Sequence, residues 1–574
     1  MAVMKKDYIQ HLKQLTLLFL KWFSAPAAMY AVIFFITQPH YFTSFSTGFF
    51  LDNGDGFQNV WNIWWVNQSV VIDHANPYYT TMLHWPHGTT LVPQTMAIFN
   101  GLMAIPLMGI LNFSLIQAVN FAVTFSFVMG GVTMFWFIQK LHKKYWVSLI
   151  GGALFTFSSY HFAHAFGHLQ LVSFEWIPLF LLAFWTLLEK FRWRDAFFAA
   201  GALFLVLLCD YYYLFWSVMV GGAWLGWKVY KKEIAFTKKN FAVFGLFVAL
   251  CLILIGPLVY SLLHLSKADG GLLGSHDPVM FGLDPLALII PGGSWYWGEL
   301  TQFYWSRIPY LAETSMFFGY GLLIVLAIAG YKRLFKRREF KFPVWLDFWW
   351  IIFIVFGLIA LGPRLHIDNV EFNDFPMPYS LLETIFPTLQ ISGMPVRWIL
   401  VALIAAIVIV TYMLSRLDMS RDKNKQLIVL FVLIMAVDLF PVQLPLTKIP
   451  TPQYVEQLKN FSGGAVLDEA APSEPQQLRN QTVHEKPMPF GYITRLPASV
   501  DKQDRPIFVA IDQHRYADLC KDFKIRYLTE PAARQMPYLS DALIVYRDEQ
   551  AKIYDLSLSS EFSSLVDEPP CHLN

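Results

Sequence analysis

Apolar runs long enough to cross a membrane recur along the whole chain, and they constrain the fold more than any other feature. A helix needs about 20 mainly apolar residues to cross a hydrocarbon layer of roughly 30 Å. Runs of this kind, or nearly this length, lie near 22–37, 115–139, 146–160, 172–188, 195–209, 212–227, 241–263, 314–330, 344–361, 397–414 and 427–441. The sequence therefore predicts an α-helical, polytopic membrane protein with eleven or so transmembrane helices.

The basic residues predict which side of the membrane each loop occupies, because Lys and Arg near spans are retained in the cytoplasm. The predicted inner segments 1–21, 139–145, 189–194, 228–239, 331–341 and 415–425 hold 25 of them, and the outer segments before residue 441 hold 4. This asymmetry predicts a multi-pass protein of the inner (plasma) membrane with a cytoplasmic N-terminus and an extracytoplasmic, periplasmic C-terminus. The apolar segment 96–111 is short and is broken by Pro93 and Pro106, so we expect it to lie along or dip into the outer interface.

A change of composition near Pro441 marks a second domain. We expect a transmembrane module over 1–442, with a first extracytoplasmic loop over 38–95, and a small soluble α/β domain over 443–574. Alternating apolar residues predict strands at 507–511, 525–528, 542–546 and 552–556, with a helix near 513–522. Cys520 and Cys571 could pair if this domain faces an oxidising compartment.

The first external loop begins with two aspartates in a glycine-containing turn. Asp52 and Asp55 are three residues apart, and residues 37–94 contain no Lys or Arg. One of these carboxylates could act as a general base, or the turn could be an Asx-turn or a helix N-cap. Gln58 follows, with three tryptophans at helical spacing, which predicts an amphipathic helix at the membrane surface with its aromatic rings at headgroup level.

Further polar residues lie at the predicted outer ends of spans, where ionisable groups indicate function. His161, His164 and His168 would share one helix face, where they could bind a metal ion, contact a phosphate or remain partly solvated. Arg397 could bind an anion or reach lipid headgroups as a helix-end residue. Asp210 lies near the end of a span.

The layout of these motifs resembles the GT-C superfamily of integral-membrane glycosyltransferases, which includes protein O-mannosyltransferases and lipid A aminoarabinose transferases. Asp52 and Asp55 match the acidic motif of the first external loop by position, although the usual acidic pair is adjacent. The remaining matches are Asn76-Pro77-Tyr78, Trp85-Pro86-His87-Gly88, Asn100, Phe157-Ser158-Ser159-Tyr160 with His168, and Met394-Pro395-Val396-Arg397. The resemblance covers most of residues 1–442.

The resemblance implies a hexosyl- or pentosyltransferase that moves a sugar from a polyprenyl-phosphate donor in the bilayer to an acceptor hydroxyl. The reaction would take place outside the cytoplasm, in cell-envelope glycan or glycoprotein synthesis. Phosphate is already a good leaving group, so one base suffices and the anomeric configuration is expected to invert. Asp55, favoured over Asp52, would be that base. The candidates for binding substrate or phosphate are Arg397, His168, His164, Arg307, Gln58 and Asp210.

No residue pattern specifies a cofactor or a metal site, although a divalent metal ion remains an alternative. The net charge of +2 gives no indication of nucleic-acid binding. The acceptor is unspecified and could be a glycan, a lipid or a protein.

Two other functions are compatible with the sequence. A transporter or flippase of lipid-linked or envelope glycans would place its binding site near the membrane midplane, and Asp210 is the residue that would suit it. A non-catalytic envelope assembly protein would use the C-terminal domain for docking, and it would tolerate replacement of Asp55 and Arg397.

Overall fold

The computed structural model describes residues 13–269, 272, 276–308, 316–372, 377–386, 389, 393–534, 539–559 and 571. Residues 1–12 of the predicted inner N-terminal segment lie outside these ranges, as do residues 314 and 315 of one predicted span.

The described part of the chain is mostly helical. Its helices are α1 (Lys13–Thr37), α2 (His40–Ser44), α3 (Asp55–Asn67), α4 (Ile98–Gly109), α5 (Leu115–His142), α6 (Tyr145–Thr156), α7 (Ser159–His164), α8 (Leu169–Val172), α9 (Trp176–Lys190), α10 (Trp193–Cys209), α11 (Tyr211–Tyr230), α12 (Lys238–Leu254), α13 (Gly256–Ala268), α14 (Gln302–Trp305), α15 (Tyr320–Phe335), α16 (Val344–Ala360), α17 (Pro378–Ile385), α18 (Ile399–Ser415), α19 (Asp422–Asp438), α20 (Gln453–Asn460), α21 (Glu474–His484), α22 (Ala498–Asp512) and α23 (Tyr516–Phe523). Each of the eleven apolar runs contains one of these helices or part of one.

Its strands are β1 (Tyr79–Thr80), β2 (Thr89–Thr90), β3 (Leu365–Ile367), β4 (Val370–Phe372), β5 (Ala465–Asp468), β6 (Ile525–Pro531), β7 (Ile544–Arg547) and β8 (Ala551–Asp555). Strands β1 and β2 form one antiparallel pair, and β3 and β4 form another.

Among the described residues, 4 helices are long and apolar enough to cross a membrane: Lys13–Thr37, Leu115–His142, Leu169–Lys190 and Pro395–Ser415. The bent pair α12 and α13, with an angle of 53° between the two helices, makes 5 if it counts as one span. The prediction of a multi-pass membrane protein is confirmed. The larger number of spans stays a prediction, because several of the other apolar helices, such as α16, are shorter than a full crossing requires.

The chain divides into two compact units. The helical unit comprises Met1–Phe45, Asn120–Gly256 and Ser275–Leu444. The loop-sheet unit comprises Ser46–Val119, Pro257–Gly274 and Pro445–Asn574. The predicted first external loop and the predicted C-terminal domain thus contribute to the same unit.

Helix α18 lies at the centre of the helical unit. It contains no Gly, Pro or charged residue, and every side chain from Ile399 to Leu414 is buried. It packs against α6, α15 and α16. A helix that is apolar on all sides is stable only when it is surrounded by other helices or by lipid, and here the neighbouring helices cover it.

The loop-sheet unit contains a four-stranded sheet in the order β5-β6-β8-β7. Strand β5 is parallel to β6, and the other two pairs are antiparallel. In this register Leu467 lies opposite Leu528, which lies opposite Tyr554, and these three side chains belong to the core of the unit. The predictions of strands near 525–528, 542–546 and 552–556 and of a helix near 513–522 are confirmed.

The predicted strand at 507–511 is wrong, because these residues lie in α22. Ile507 and Ala510 are buried, whereas Phe508 and Val509 between them are exposed. That spacing is the period of a helix, and a short apolar run does not distinguish a helix from a strand.

Cys520 and Cys571 form a disulfide bond within the loop-sheet unit, as the sequence suggested. Helix α4, from the apolar segment 96–111, packs on α3 so closely that a Cβ on Gly101 would lie 2.5 Å from Val66 Cβ. Pro106 does not break α4, contrary to the prediction. Its ring removes one backbone hydrogen bond, but the helix continues to Gly109.

Candidate functional site

Asp52 stabilises the turn that precedes α3. Its Oδ1 accepts hydrogen bonds from the backbone N–H groups of Gly54 at 3.0 Å and Gly56 at 2.8 Å. The first of these closes an Asx-turn, and the second satisfies an N–H group in the first turn of the helix. A Cβ on Gly56 would lie 2.8 Å from Leu51 Cβ, so the turn requires glycine there. Of the two aspartates, Asp52 therefore has the structural role of an Asx-turn residue.

Asp55 is the first residue of α3, and its carboxylate meets a hydroxyl group. The hydroxyl of Tyr492 donates a hydrogen bond of 2.7 Å to Asp55 Oδ1. Burial raises the pKa of Tyr492 above its ordinary value, and the Asp55 carboxylate raises it further, so the phenol stays protonated. A negative charge in the first turn of a helix is also favoured by the helix dipole. Asp55 is thus a half-buried carboxylate held by a protonated donor.

Gln58 lies one turn further along α3 and binds the same segment as Asp55. Its Nε2 donates to the carbonyl of Tyr492 at 3.0 Å, and its Oε1 accepts from the hydroxyl of Thr494 at 3.3 Å. Gln58 was predicted to bind substrate or phosphate, but in this structure it holds the backbone that carries Tyr492.

The prediction that the tryptophans of α3 lie at the level of the lipid headgroups is wrong. Trp61, Trp64 and Trp65 are all buried, and Trp61 Nε1 donates to Gln481 Oε1 at 2.7 Å. Helix α21, which carries Gln481, packs along α3. Tryptophan rings that are enclosed by protein do not reach lipid headgroups.

In the helical unit, Arg397 lies in a 3₁₀ turn, Pro395–Trp398, immediately before α18. The side chain is buried, and its guanidinium carbon lies 5.3 Å from the centre of the Tyr212 ring. This burial does not fit an arginine that reaches lipid headgroups. A buried guanidinium beside an aromatic ring is suited to binding an anion.

Asp210 lies next to the same tyrosine. It is the N-cap of α11, and its side chain accepts a hydrogen bond of 2.6 Å from the backbone N–H of Tyr212. The structure therefore places two of the predicted substrate-binding residues, Arg397 and Asp210, around Tyr212.

The three histidines do not share a helix face, which corrects the prediction. Helix α7 ends at His164, and His168 follows after a turn. The His161 ring is buried between Phe127 and Phe174, with ring centres 3.7 and 4.1 Å away. Its Nδ1 donates to the carbonyl of Thr156 at 2.7 Å. His161 is thus a packed core side chain.

His164 and His168 lie together beside a pair of tyrosines. Their ring centres are 5.7 Å apart, and the His164 ring packs edge-on against Tyr160 at 4.3 Å. The Tyr160 and Tyr213 hydroxyls are 3.2 Å apart, and Tyr213 directly follows Tyr212 in the chain. Among the predicted residues, Arg397 and Asp210 therefore contact Tyr212, His164 contacts Tyr160, and His168 contacts His164.

Arg307 has a different partner. Its guanidinium lies 2.9 Å from Asp368 Oδ1, and both side chains are about half exposed. The paired carboxylate offsets the positive charge that a phosphate would require, so the structure gives Arg307 no special suitability for phosphate binding.

The sequence analysis did not single out two polar groups of the structure, Glu175 and Tyr492. Glu175 is fully buried in the helical unit and accepts a hydrogen bond from Ser126 at 2.8 Å. The single acidic residue at the start of an apolar run was the signal that could have found it. No local signal could have indicated Tyr492, because it is separated from Asp55 by 437 positions.

The described residues include no group of three or more His, Cys, Asp or Glu side chains placed to hold a metal ion.

Residues 27–440 match the model of a family described as a domain of unknown function (DUF6311). The chain belongs to this family. No curated protein matches the sequence.

Solved structures with the same fold include an arabinofuranosyltransferase from Mycobacteria, AftD. One structure, of an AftD variant, gives a TM-score of 0.54 with 11% identity over 94% of this chain and 41% of that one. Another AftD structure gives a TM-score of 0.51 with 13% identity over 90% of this chain and 35% of that one. The chain thus spans less than half the length of AftD. The chain thus shares the fold of AftD, in line with the resemblance drawn from the sequence.

Proposed function

We propose that this protein is a membrane glycosyltransferase that transfers a sugar from a polyprenyl-phosphate donor to an acceptor hydroxyl. The fold shared with an arabinofuranosyltransferase supports glycosyl transfer. The observation that carries the proposal is the Asp55 carboxylate at the start of α3, fixed by the Tyr492 hydroxyl at 2.7 Å. Such a group is suited to accept a proton from an acceptor hydroxyl.

In the proposed reaction, the acceptor oxygen attacks the anomeric carbon of the sugar. The bond between that carbon and the phosphate oxygen breaks, and the acceptor proton passes to Asp55. The sugar inverts its configuration, and polyprenyl phosphate leaves as the anion. No general acid is required, because the leaving group is already a stable phosphate.

Arg397 is the proposed ligand of the donor phosphate. It is buried, lies against Tyr212 and has the planar guanidinium that matches phosphate oxygens. His164, which packs on Tyr160, and His168, which packs on His164, are proposed as further donors to the same anion. A buried positive group would stabilise the charge that develops on the leaving phosphate.

The proposed location of the reaction is the extracytoplasmic face of the inner membrane, in the synthesis of an envelope glycan or glycoprotein. The Cys520–Cys571 disulfide supports this side, because disulfides persist in oxidising compartments and are rare in the cytosol. The excess of Lys and Arg in the opposite loops also supports it.

The test uses the purified full chain in lipid vesicles with a panel of polyprenyl-phosphate sugars and a mixture of simple acceptors. Free polyprenyl phosphate and glycosylated acceptor are measured together, and the anomeric configuration of the product is determined by NMR. We expect both products in equal amounts from one donor, with inversion.

Other outcomes would reject the proposal or part of it. Movement of an intact donor across the bilayer without release of polyprenyl phosphate would favour a flippase. A product that keeps the donor's anomeric configuration would reject the single-base mechanism. No release from any donor, with a folded protein and a full set of acceptors, would favour a non-catalytic assembly protein.

A further inference from the structure

A short segment of the C-terminal region, residues 488–494, lies against the first external loop within the loop-sheet unit. The backbone N–H of Met488 donates to the carbonyl of Met82 at 2.8 Å, and the N–H of Trp85 donates to the carbonyl of Met488 at 3.0 Å. A Cβ on Gly491 would lie 2.9 Å from the Leu83 side chain. The segment is thus fixed at its start by backbone pairing and close packing.

Side chains of the first loop fix the other end of the segment. The N–H of Thr494 donates to Gln94 Oε1 at 2.8 Å. The carbonyl of Tyr492 accepts from Gln58 Nε2 at 3.0 Å. These contacts leave little freedom to the backbone that carries the Tyr492 side chain.

Asp55 and Gln58 are three residues apart in α3 and therefore lie on one face of the helix. Gln58 binds the Tyr492 backbone, and Asp55 accepts the Tyr492 hydroxyl at 2.7 Å. The same tyrosine is thus bound twice by one helix face. This arrangement sets the distance between the hydroxyl and the carboxylate.

We propose that Tyr492 is a positioning residue for Asp55, which fixes the rotamer of its carboxylate and stabilises its ionised form. The inference rests on the proposed function, in which Asp55 is the base. It assigns to the C-terminal region a part in positioning the base, because that region supplies the hydroxyl that orients the carboxylate.

Several charged side chains lie near the Tyr492–Asp55 pair. Glu474 and Asp52 both raise the pKa of the Tyr492 hydroxyl, and Arg495, three residues after Tyr492, is buried as well. Helix α21 also contributes Arg479 and His484. Arg479 donates to the carbonyl of Ile449, and His484 accepts from the N–H of Lys486. Helix α4 contributes no titratable side chain. A hydrogen bond to a carboxylate favours its charged form, so the Tyr492 hydroxyl would stabilise ionised Asp55.

The experiment compares the wild type with Tyr492→Phe, which removes only the hydroxyl. Tyr546→Phe is the matched control, because Tyr546 also donates to an aspartate in the same unit, Asp548, at 3.1 Å. Transfer rates are measured against pH in lipid. For Tyr492→Phe we expect kcat to fall about tenfold with KM unchanged, and the acid limb of the profile to move up by about one pH unit. The pH profile of Tyr546→Phe should superimpose on that of the wild type.

A second measurement does not depend on activity. Infrared difference spectra between each protein and its Asp55→Asn counterpart report the titration of the Asp55 carboxyl as pH is varied. We expect this titration to move to higher pH in Tyr492→Phe. Unchanged titration in a folded Tyr492→Phe protein would overturn the inference, even if the wild type transfers sugar. A shifted titration in a protein that transfers no sugar would reject the proposed function and leave the Tyr492 contact intact.

Discussion

The Oδ1 atom of Asp52 accepts a hydrogen bond from the backbone N–H of Gly56 at 2.8 Å. The sequence alone leaves open which of the two aspartates is the base. In the structure, Asp52 bonds to the backbone of its own turn, whereas Asp55 bonds to a side-chain hydroxyl supplied from a distant part of the chain. We therefore assign the structural role to Asp52 and propose Asp55 for the chemistry.

This division predicts that Asp52→Asn retains most of the activity. An asparagine side chain keeps an oxygen that can accept the Gly54 and Gly56 N–H groups, and asparagine is as good as aspartate at such positions. Asp52→Ala removes the acceptor and should lower the free energy of unfolding by about 0.5–2 kcal/mol. Denaturant unfolding and transfer assays of both variants check this. A loss of activity in Asp52→Asn as large as that in Asp55→Asn would contradict it.

Replacing Arg397 should weaken donor binding. Loss of a charge-assisted hydrogen bond of about 1.5–3 kcal/mol corresponds to a rise in donor KM of roughly ten- to a hundredfold for Arg397→Ala. Arg397→Lys should recover only part of this, because an ammonium group keeps the charge without the planar fork. Arg364→Ala is the control, since Arg364 is exposed and pairs with Glu371. Equal rises in donor KM for Arg397→Ala and Arg364→Ala would contradict the assignment of Arg397 as a specific phosphate ligand.

The disulfide should contribute to the stability of the loop-sheet unit. It joins α23 to Cys571 across a sequence separation of 51 residues, and such bonds typically stabilise by about 2–4 kcal/mol. We expect Cys571→Ser, or reduction of the wild type, to make this unit unfold at lower denaturant concentration and to be cleaved faster by proteases. Identical cleavage rates with and without reductant would contradict the prediction.

Local patterns predicted much of the fold. Each apolar run contains a helix or part of one, and the alternating residues at 525–528 form part of β6. An Asx-turn, one of the alternatives considered for this stretch, is found at Asp52, and such a turn depends only on neighbouring residues.

The predictions failed where distant residues decide the outcome. Trp61 has the spacing of a membrane-surface helix, but its partner Gln481 is 420 positions away and covers it with protein. The histidine prediction failed locally, because α7 ends at His164, before the third histidine. Tyr492 gives no local signal, and only the tertiary structure places its hydroxyl against Asp55.

The most direct test of the central claim is the transfer rate of Asp55→Asn measured beside that of Asp73→Asn. Both substitutions replace an aspartate of the first external loop by its neutral isostere, and Asp73 bonds only locally in the described contacts, to Gln68 at 3.1 Å. If Asp55 is the base, its variant should transfer about 10²–10⁴-fold more slowly than the wild type, while Asp73→Asn should retain the wild-type rate. Wild-type transfer by a folded Asp55→Asn protein would contradict the claim.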